Sequence, residues 1–342
     1  MYEPIQFEPA VEELVRFVEE THPDQLVSAT LDKLRAGAPP TDLVRAAALA
    51  VIRSTELPAS HHGGAVHPIS GLHGCLHTAK RLSGEKSFLP IVQHVAVCTH
   101  HIHSPHMGPY IMPTLTPRDG SLDEAYEVFH DSESSVVHMG AASTSSSDKA
   151  RLDSTVAAFL NNVHSRRPVA AEQCLLWLLE HQTPGEVLDH LLPLCVSRNH
   201  MDDHNFLYPV LSAIALEDIG WDWARVLLRP VVRYHARQPS DITLDPDFQP
   251  TLIDEAMAAH GLLDKQLALK TNETESAQIE SLANAIASGG KFADGIGLSA
   301  QALADGLSVE GVGEALSVAA SRIFVSTTYG NPMDSHLHTG AT

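Results

Sequence analysis

The sequence predicts an all-α protein, a multi-helix bundle forming either one large domain or two packed helical halves. Three observations carry that expectation. Alanine and leucine dominate a chain whose hydrophobic residues reach 44 % while aromatics stay at 5 %, a balance that suits helices better than β-sandwiches. Apolar residues recur at steps of three and four along most of the 342 residues. No alternating run is flanked by an Asn-Gly or Asp-Gly turn, and no fixed-period repeat is visible.

The elements follow in order. Val11, Leu14, Val15 and Val18 fall at helical spacing among glutamates and predict an amphipathic helix over 8–20. Pro23 opens a second helix, with Leu26, Ala29, Leu31 and Leu34, and Gly37 ends it. After Pro39-Pro40, Thr41 or Asp42 caps a third helix over 42–53, apolar nearly all round and therefore expected to be central. Two glycines and two prolines make 58–68 a loop. Pro68 starts a helix to about Arg81, and another apolar helix covers 88–102. The next segment, 104–117, is a proline-rich loop with His106 and Tyr110, followed by a short helix over 122–130 capped by Ser121.

The serine cluster in 132–147 reads as a linker. It divides an N-terminal helical half, 1–131, from a C-terminal half, 148–342. Asp148 caps a helix over 149–165. Further helices are expected over 168–180, 184–194, 202–218, 221–235, 251–262 and 275–288, with Pro168 and Pro184 at helix starts and Gly220 as a stop. The glycine- and alanine-rich end, 287–324, has the small residues that let helices approach closely or flank a pocket.

The net charge of −20 repels phosphate backbones, which disfavours nucleic-acid partners. No apolar run is long enough for a membrane span, and the first residues lack a signal-peptide pattern. Cys75, Cys98, Cys174 and Cys195 form no C-x-x-C pair and each sits in an apolar helical run. A cytoplasmic setting is the resulting expectation.

Histidine is where the chain departs from an ordinary helical protein. Ten of the 22 fall between His61 and His106. Imidazole is the commonest metal ligand and titrates near neutrality. His73 and His77 stand four apart, so both project from one helix face. His94, Cys98 and His101 share a face of the next helix. Two adjacent antiparallel helices would bring these windows together, as metal sites in helical bundles are built. His67 stands just before the first turn of the His73 helix. A second window, 199–204, holds His200 and His204 four apart with Asp202 and Asp203 between them. There an aspartate either completes a histidine–carboxylate ligand set or caps the helix. The tail carries Asp334, His336 and His338, either a lid or polar surface. A lone histidine on a helix is more often a satisfied polar residue than a ligand, and several others sit at helix C-termini, where the dipole favours them.

Other chemistries lack their signatures. There is no G-x-x-x-x-G-K-[ST] phosphate loop, no strand followed by G-x-G-x-x-G, no G-x-S-x-G elbow and no H-E-x-x-H pair.

Two windows resemble a known family. His67-Pro68 followed by His73-Gly74 is similar to the His-Pro…His-Leu-Gly stretch of questin-oxidase-like proteins, and Asp202-Asp203-His204 resembles their Asp-Asp-Gly-His stretch. The spacing after His67 is longer here, and no glycine precedes His204. The resemblance implies a largely helical oxygenase acting on a natural-product scaffold.

The expected function is a metal-dependent oxidoreductase, a non-haem iron oxygenase or oxidase of a small organic substrate. Its expected ligands are drawn from His67, His73, His77, His94, His101, His200, Asp203 and His204, with His62 and Tyr110 moving protons. Three alternatives stand beside it. Zinc on three histidines would make a hydrolase or lyase. A metal-free pocket lined by histidines would do acid–base work. A helical subunit, homo- or hetero-oligomeric, would use histidines for pH-dependent assembly.

Overall fold

The structure, a computed structural model, describes residues 3–55, 65–104, 111–120, 148–197, 204–237, 251–289 and 292–326. The expected all-α architecture is what it shows. Among the described residues there is no strand, only one isolated bridge between Pro4 and Pro113. Two compact units divide the chain: Met1–Cys195 with Tyr208–Ser240, and Val196–Leu207 with Asp241–Thr342. The serine-rich segment 132–147 and the helix expected over 122–130 lie outside the described residues, and the division between units falls elsewhere.

The first unit opens with helices α1 (Pro9–Glu20), α2 (Pro23–Arg35) and α3 (Pro40–Ser54). Each begins on a proline, whose fixed φ and missing N–H suit the first helical position. α3 starts earlier than the sequence suggests. Asp42 is therefore inside the first turn, where it binds Arg45 at 2.7 Å rather than capping the helix. Every residue from Leu43 to Arg53 except Arg45 is buried, so the expectation of a central helix holds. α4 (Val66–Arg81) and α5 (Phe88–Ile102) pack against α3 and each other, and α5 also meets α1 and α2. α4 begins at Val66, so His67 lies within its first turn, exposed, rather than before it.

The unit continues with α6 (Asp148–His164), α7 (Pro168–His181) and α8 (Pro184–Ser197). α9 (His204–Ile219) and α10 (Ala224–Arg237) follow, joined by Gly220 and a 3-10 turn at Trp221–Trp223. Gly220 sits at φ 101°, a conformation that glycine adopts without strain. One continuous apolar core runs from Val15 to Ala236, taking residues from both sides of the serine-rich segment.

Two ion clusters tie this core together. The Arg53 guanidinium, at the end of α3, is held by Glu12 at 2.7 Å and Glu19 at 2.6 Å, both from α1. Deeper in, Glu172 of α7 accepts from Arg229 at 2.7 Å and from Arg233 at 2.8 Å, both on α10. Glu172 and Arg229 are each only 1 % exposed.

In the second unit, α12 (Ser276–Ser288) packs on α14 (Val309–Ser326), with α11 (Thr251–Ala259) and α13 (Phe292–Ala304) beside them. Small residues allow this approach: a Cβ at Gly311 would lie 2.7 Å from Glu275 Oε2. That carboxylate accepts from Ser308 N–H and Oγ–H, which fixes the start of α14. In the glycine- and alanine-rich end this close approach is made at Gly311, while a Cβ at Gly295, Gly297 or Gly313 would meet nothing within 4 Å.

The Glu172 cluster yields a stability prediction. Glu172→Ala removes the carboxylate that two buried guanidiniums bond, and breaking a buried pair from one side costs roughly 3–5 kcal/mol. Urea unfolding followed by helical circular dichroism should show a loss of that size. A change below about 1 kcal/mol, the value of an exposed pair, would contradict the buried assignment.

Candidate functional site

The site grows from the register of α4. Ile69, Leu72, Leu76 and Ala79 are buried and recur at steps of three and four, so they form the stripe that seats α4 on the core. His73, His77 and Lys80 each follow one of these residues by one position. One residue is about 100° around the helix, so this second stripe runs along the border between core and solvent. The rings of His73 and His77 lie close but tilted, with centroids 4.0 Å apart and planes 32° apart.

Opposite them stands Asp218 in the last turn of α9. His73 Nδ1 lies 2.7 Å from Asp218 Oδ2, and His77 Nε2 lies 3.2 Å from Asp218 Oδ1. Each ring donates an N–H to one oxygen of the carboxylate, which can only accept. Lys80 Nζ approaches Asp218 Oδ1 at 3.7 Å. The Asp218 side chain is 12 % exposed, against 38 % for His73 and 43 % for His77. The carboxylate is thus nearly closed off while the imidazoles keep an open edge.

Among the described residues, His73, His77 and Asp218 are the group of three whose ligand atoms converge, all within 4.8 Å of one another. A transition metal bonded at about 2.1 Å spaces neighbouring ligand atoms at about 3.0–3.4 Å, depending on geometry. One nitrogen–oxygen separation, 3.2 Å, falls within that range, and the other, 2.7 Å, is shorter by a few tenths of an ångström. A small parting of His73 from Asp218 would let a divalent ion sit on two imidazoles and one carboxylate. Protein then covers one side, and the other positions stay open.

The remaining candidate residues go elsewhere. His94 is buried in α5, with Nε2 3.7 Å from Cys98 Sγ. The shared face of His94 and Cys98 is real, but it turns into the core. Burial pushes the His94 imidazole down to about 4 and raises the Cys98 thiol, so both stay neutral. Burial likewise pushes the Cys75 thiol up to about 12, with its Sγ–H donating to Pro90 O at 3.2 Å. The ring of His101, one turn beyond Cys98, bonds the Val97 carbonyl of its own helix at 2.8 Å. His67 is exposed and about 120° around α4 from His73. None of these three histidines joins the converging group. His204 opens α9 and is buried. His62, Tyr110, His200, Asp203 and the tail with Asp334, His336 and His338 lie outside the described residues.

Asp218 is the residue that sequence reasoning missed. One signal was present. An anion in the last turn of a helix opposes the helix dipole, typically by 0.3–1 kcal/mol, and Glu217-Asp218 sits just before the stop at Gly220. Such a residue calls for a compensating partner, here two imidazoles and an ammonium.

No protein-family model, no curated protein and no solved structure matches the chain. No helix among the described residues is long and apolar enough to cross a membrane.

The buried imidazole of His94 gives a pH prediction. In the unfolded chain it titrates near 6.5, whereas in the fold it stays neutral down to about 4. Between those values the unfolded chain binds a proton that the folded chain refuses, so stability falls as pH drops through that window. The loss reaches roughly 3 kcal/mol. Urea unfolding between pH 7 and 4 should show this slope in the wild type and its reduction in His94→Leu. Identical slopes in the two proteins would contradict the buried neutral state.

Proposed function

We propose that His73, His77 and Asp218 hold a divalent transition metal, and that the protein is a metal-dependent oxidoreductase acting on a small organic molecule. The observation that carries this reading is the convergence of one Nδ1, one Nε2 and a carboxylate within 4.8 Å, on a face that is half open. Two imidazoles and one carboxylate are a mixed nitrogen–oxygen set that suits iron(II) with positions left for substrate and O₂. Zinc in the same set would instead supply an activated water to a hydrolase or lyase. Iron is preferred because structural zinc sites close with a fourth protein ligand and catalytic ones commonly take three nitrogens or two with glutamate. The likeness of 67–74 and 202–204 to questin-oxidase-like stretches points to the same reaction class, and His73 belongs to both arguments.

The protein's own residues have defined tasks in this reading. The buried stripe of α4 fixes the two rings, so little reorganisation is needed when the ion enters. The ring nitrogens that do not face the ion remain available for hydrogen bonds that set ring orientation. The low exposure of Asp218 limits competition from water for its oxygens.

A second reading has its own support. Each ring already bonds one oxygen of Asp218 directly, and Lys80 supplies a positive charge nearby. Without metal, the imidazole–carboxylate–imidazole array would shuttle protons as a general acid–base.

Elemental analysis and metal titration separate the readings. Protein purified without nickel resin should take up one equivalent of iron(II) or zinc(II), with O₂ consumption and visible absorption marking iron. Asp218→Asn and His73→Ala should each weaken that uptake by about 100-fold or more while helical circular dichroism is retained. A chelator should abolish turnover. Turnover that survives chelation, or metal uptake that is unchanged in both variants, would overturn the metal reading in favour of the proton-transfer array.

A further inference from the structure

We infer that the substrate is an organic acid, and that Lys80 anchors its carboxylate beside the site; this rests on the metal reading above. Lys80 continues the His73–His77 stripe, three residues beyond His77 and seven beyond His73, so all three side chains leave the same face of α4. Its ammonium lies 3.7 Å from Asp218 Oδ1, yet the side chain is 65 % exposed. The other partners of that carboxylate approach more closely, at 2.7 Å and 3.2 Å. Lys80 is therefore the outermost and weakest of the three, and the one free to turn towards solvent on its four-carbon stem.

Charge balance sets the direction of the change. Among the protein's own groups, one carboxylate faces one ammonium. A divalent ion adds two positive charges, claims the Asp218 oxygens and repels the ammonium a few ångströms away. The loaded site then carries a surplus of about two positive charges, all on the half-open side. Glu217, the neighbouring acid, accepts from Trp221 Nε1–H at 2.8 Å; its single negative charge lowers the surplus without cancelling it. A neutral substrate leaves that surplus uncompensated, whereas an anion meets both the ion and Lys80. An ammonium recognises a compact oxyanion as a point charge, without the planar fork that arginine offers. Carboxylate and phosphate share that chemistry. On a chain of net charge −20 the singly charged carboxylate meets less long-range repulsion.

Calorimetry on zinc-loaded protein, which is redox-silent, tests the assignment. Zinc(II) is titrated first into the wild type, Lys80→Gln and Lys80→Arg, then benzoate, its neutral isostere benzamide, and inorganic phosphate. Zinc should bind all three proteins, at least as tightly in Lys80→Gln because a repelling charge is gone. Benzoate should bind the wild type about tenfold more tightly than Lys80→Gln, with Lys80→Arg close to the wild type. Benzamide should bind weakly and indifferently to the substitution. Equal benzoate affinity in zinc-loaded wild type and Lys80→Gln would overturn the anchor while leaving the metal site standing. A larger effect of the substitution on phosphate than on benzoate would overturn the carboxylate. Failure of zinc to bind the wild type would remove the metal reading, and the anchor with it.

Discussion

The site depends on one constraint, the phase of a single helix. α4 has to bury Ile69, Leu72, Leu76 and Ala79, because that stripe is what holds it to the core. Burying each of the larger of these side chains is worth roughly 1.5–3 kcal/mol. No plausible gain at the border could rotate the helix against that sum. The position of His73, His77 and Lys80 follows from it. They lie one residue further on, far enough around to escape the core and near enough to be shielded by it. A shift of one residue in the apolar pattern would drive both imidazoles inward or turn them fully to water.

The histidines of the neighbouring helix show what the inward outcome looks like. His94 occupies a core-facing position of α5, beside Cys98, and burial keeps it neutral far below its ordinary titration range. A neutral imidazole can still ligate, but among the described residues no group of three ligand atoms includes it. Its ring fills core volume and meets a thiol. His101 shows another outcome, with its ring bonded to a carbonyl of its own helix. Four histidines with similar spacing signals, His73, His77, His94 and His101, therefore end in three environments. What separates them is where the apolar stripe of each helix falls.

This also explains how far the sequence could be read. The all-α class was legible because helix period, proline starts and glycine stops are local. Pro23, Pro168 and Pro184 open helices as expected, and Gly220 ends one. The pairing of His73 with His77 was legible for the same reason, since four residues along a helix is a fixed geometry. Asp218 was not, because it is 145 residues away from His73, and periodicity says nothing about which helix lies opposite. The helix boundary at Val66 was missed because a proline tolerated in the first turn, Pro68, reads as a start. The bond from Asp42 to Arg45 likewise replaced the cap that the residue type suggests.

Among the described residues of the first unit, charge is enclosed around Arg53, Glu172 and Asp218, and the chemistry differs. Arg53 is held by Glu12 and Glu19, and Glu172 by Arg229 and Arg233. Both clusters use guanidinium, which stays protonated at any ordinary pH and binds carboxylate through fixed, directed donors. Such clusters set the packing of one helix on another and have no second state. Asp218 is answered instead by two imidazoles and a lysine. An imidazole can lose its proton and present a lone pair, so the same atoms that satisfy the carboxylate can release it and accept a cation. If the only requirement were to neutralise an aspartate at a helix C-terminus, one arginine would serve with less ordering of side chains. Two rings set close together where solvent can reach them fit the binding chemistry proposed above, and helix packing alone does not call for them.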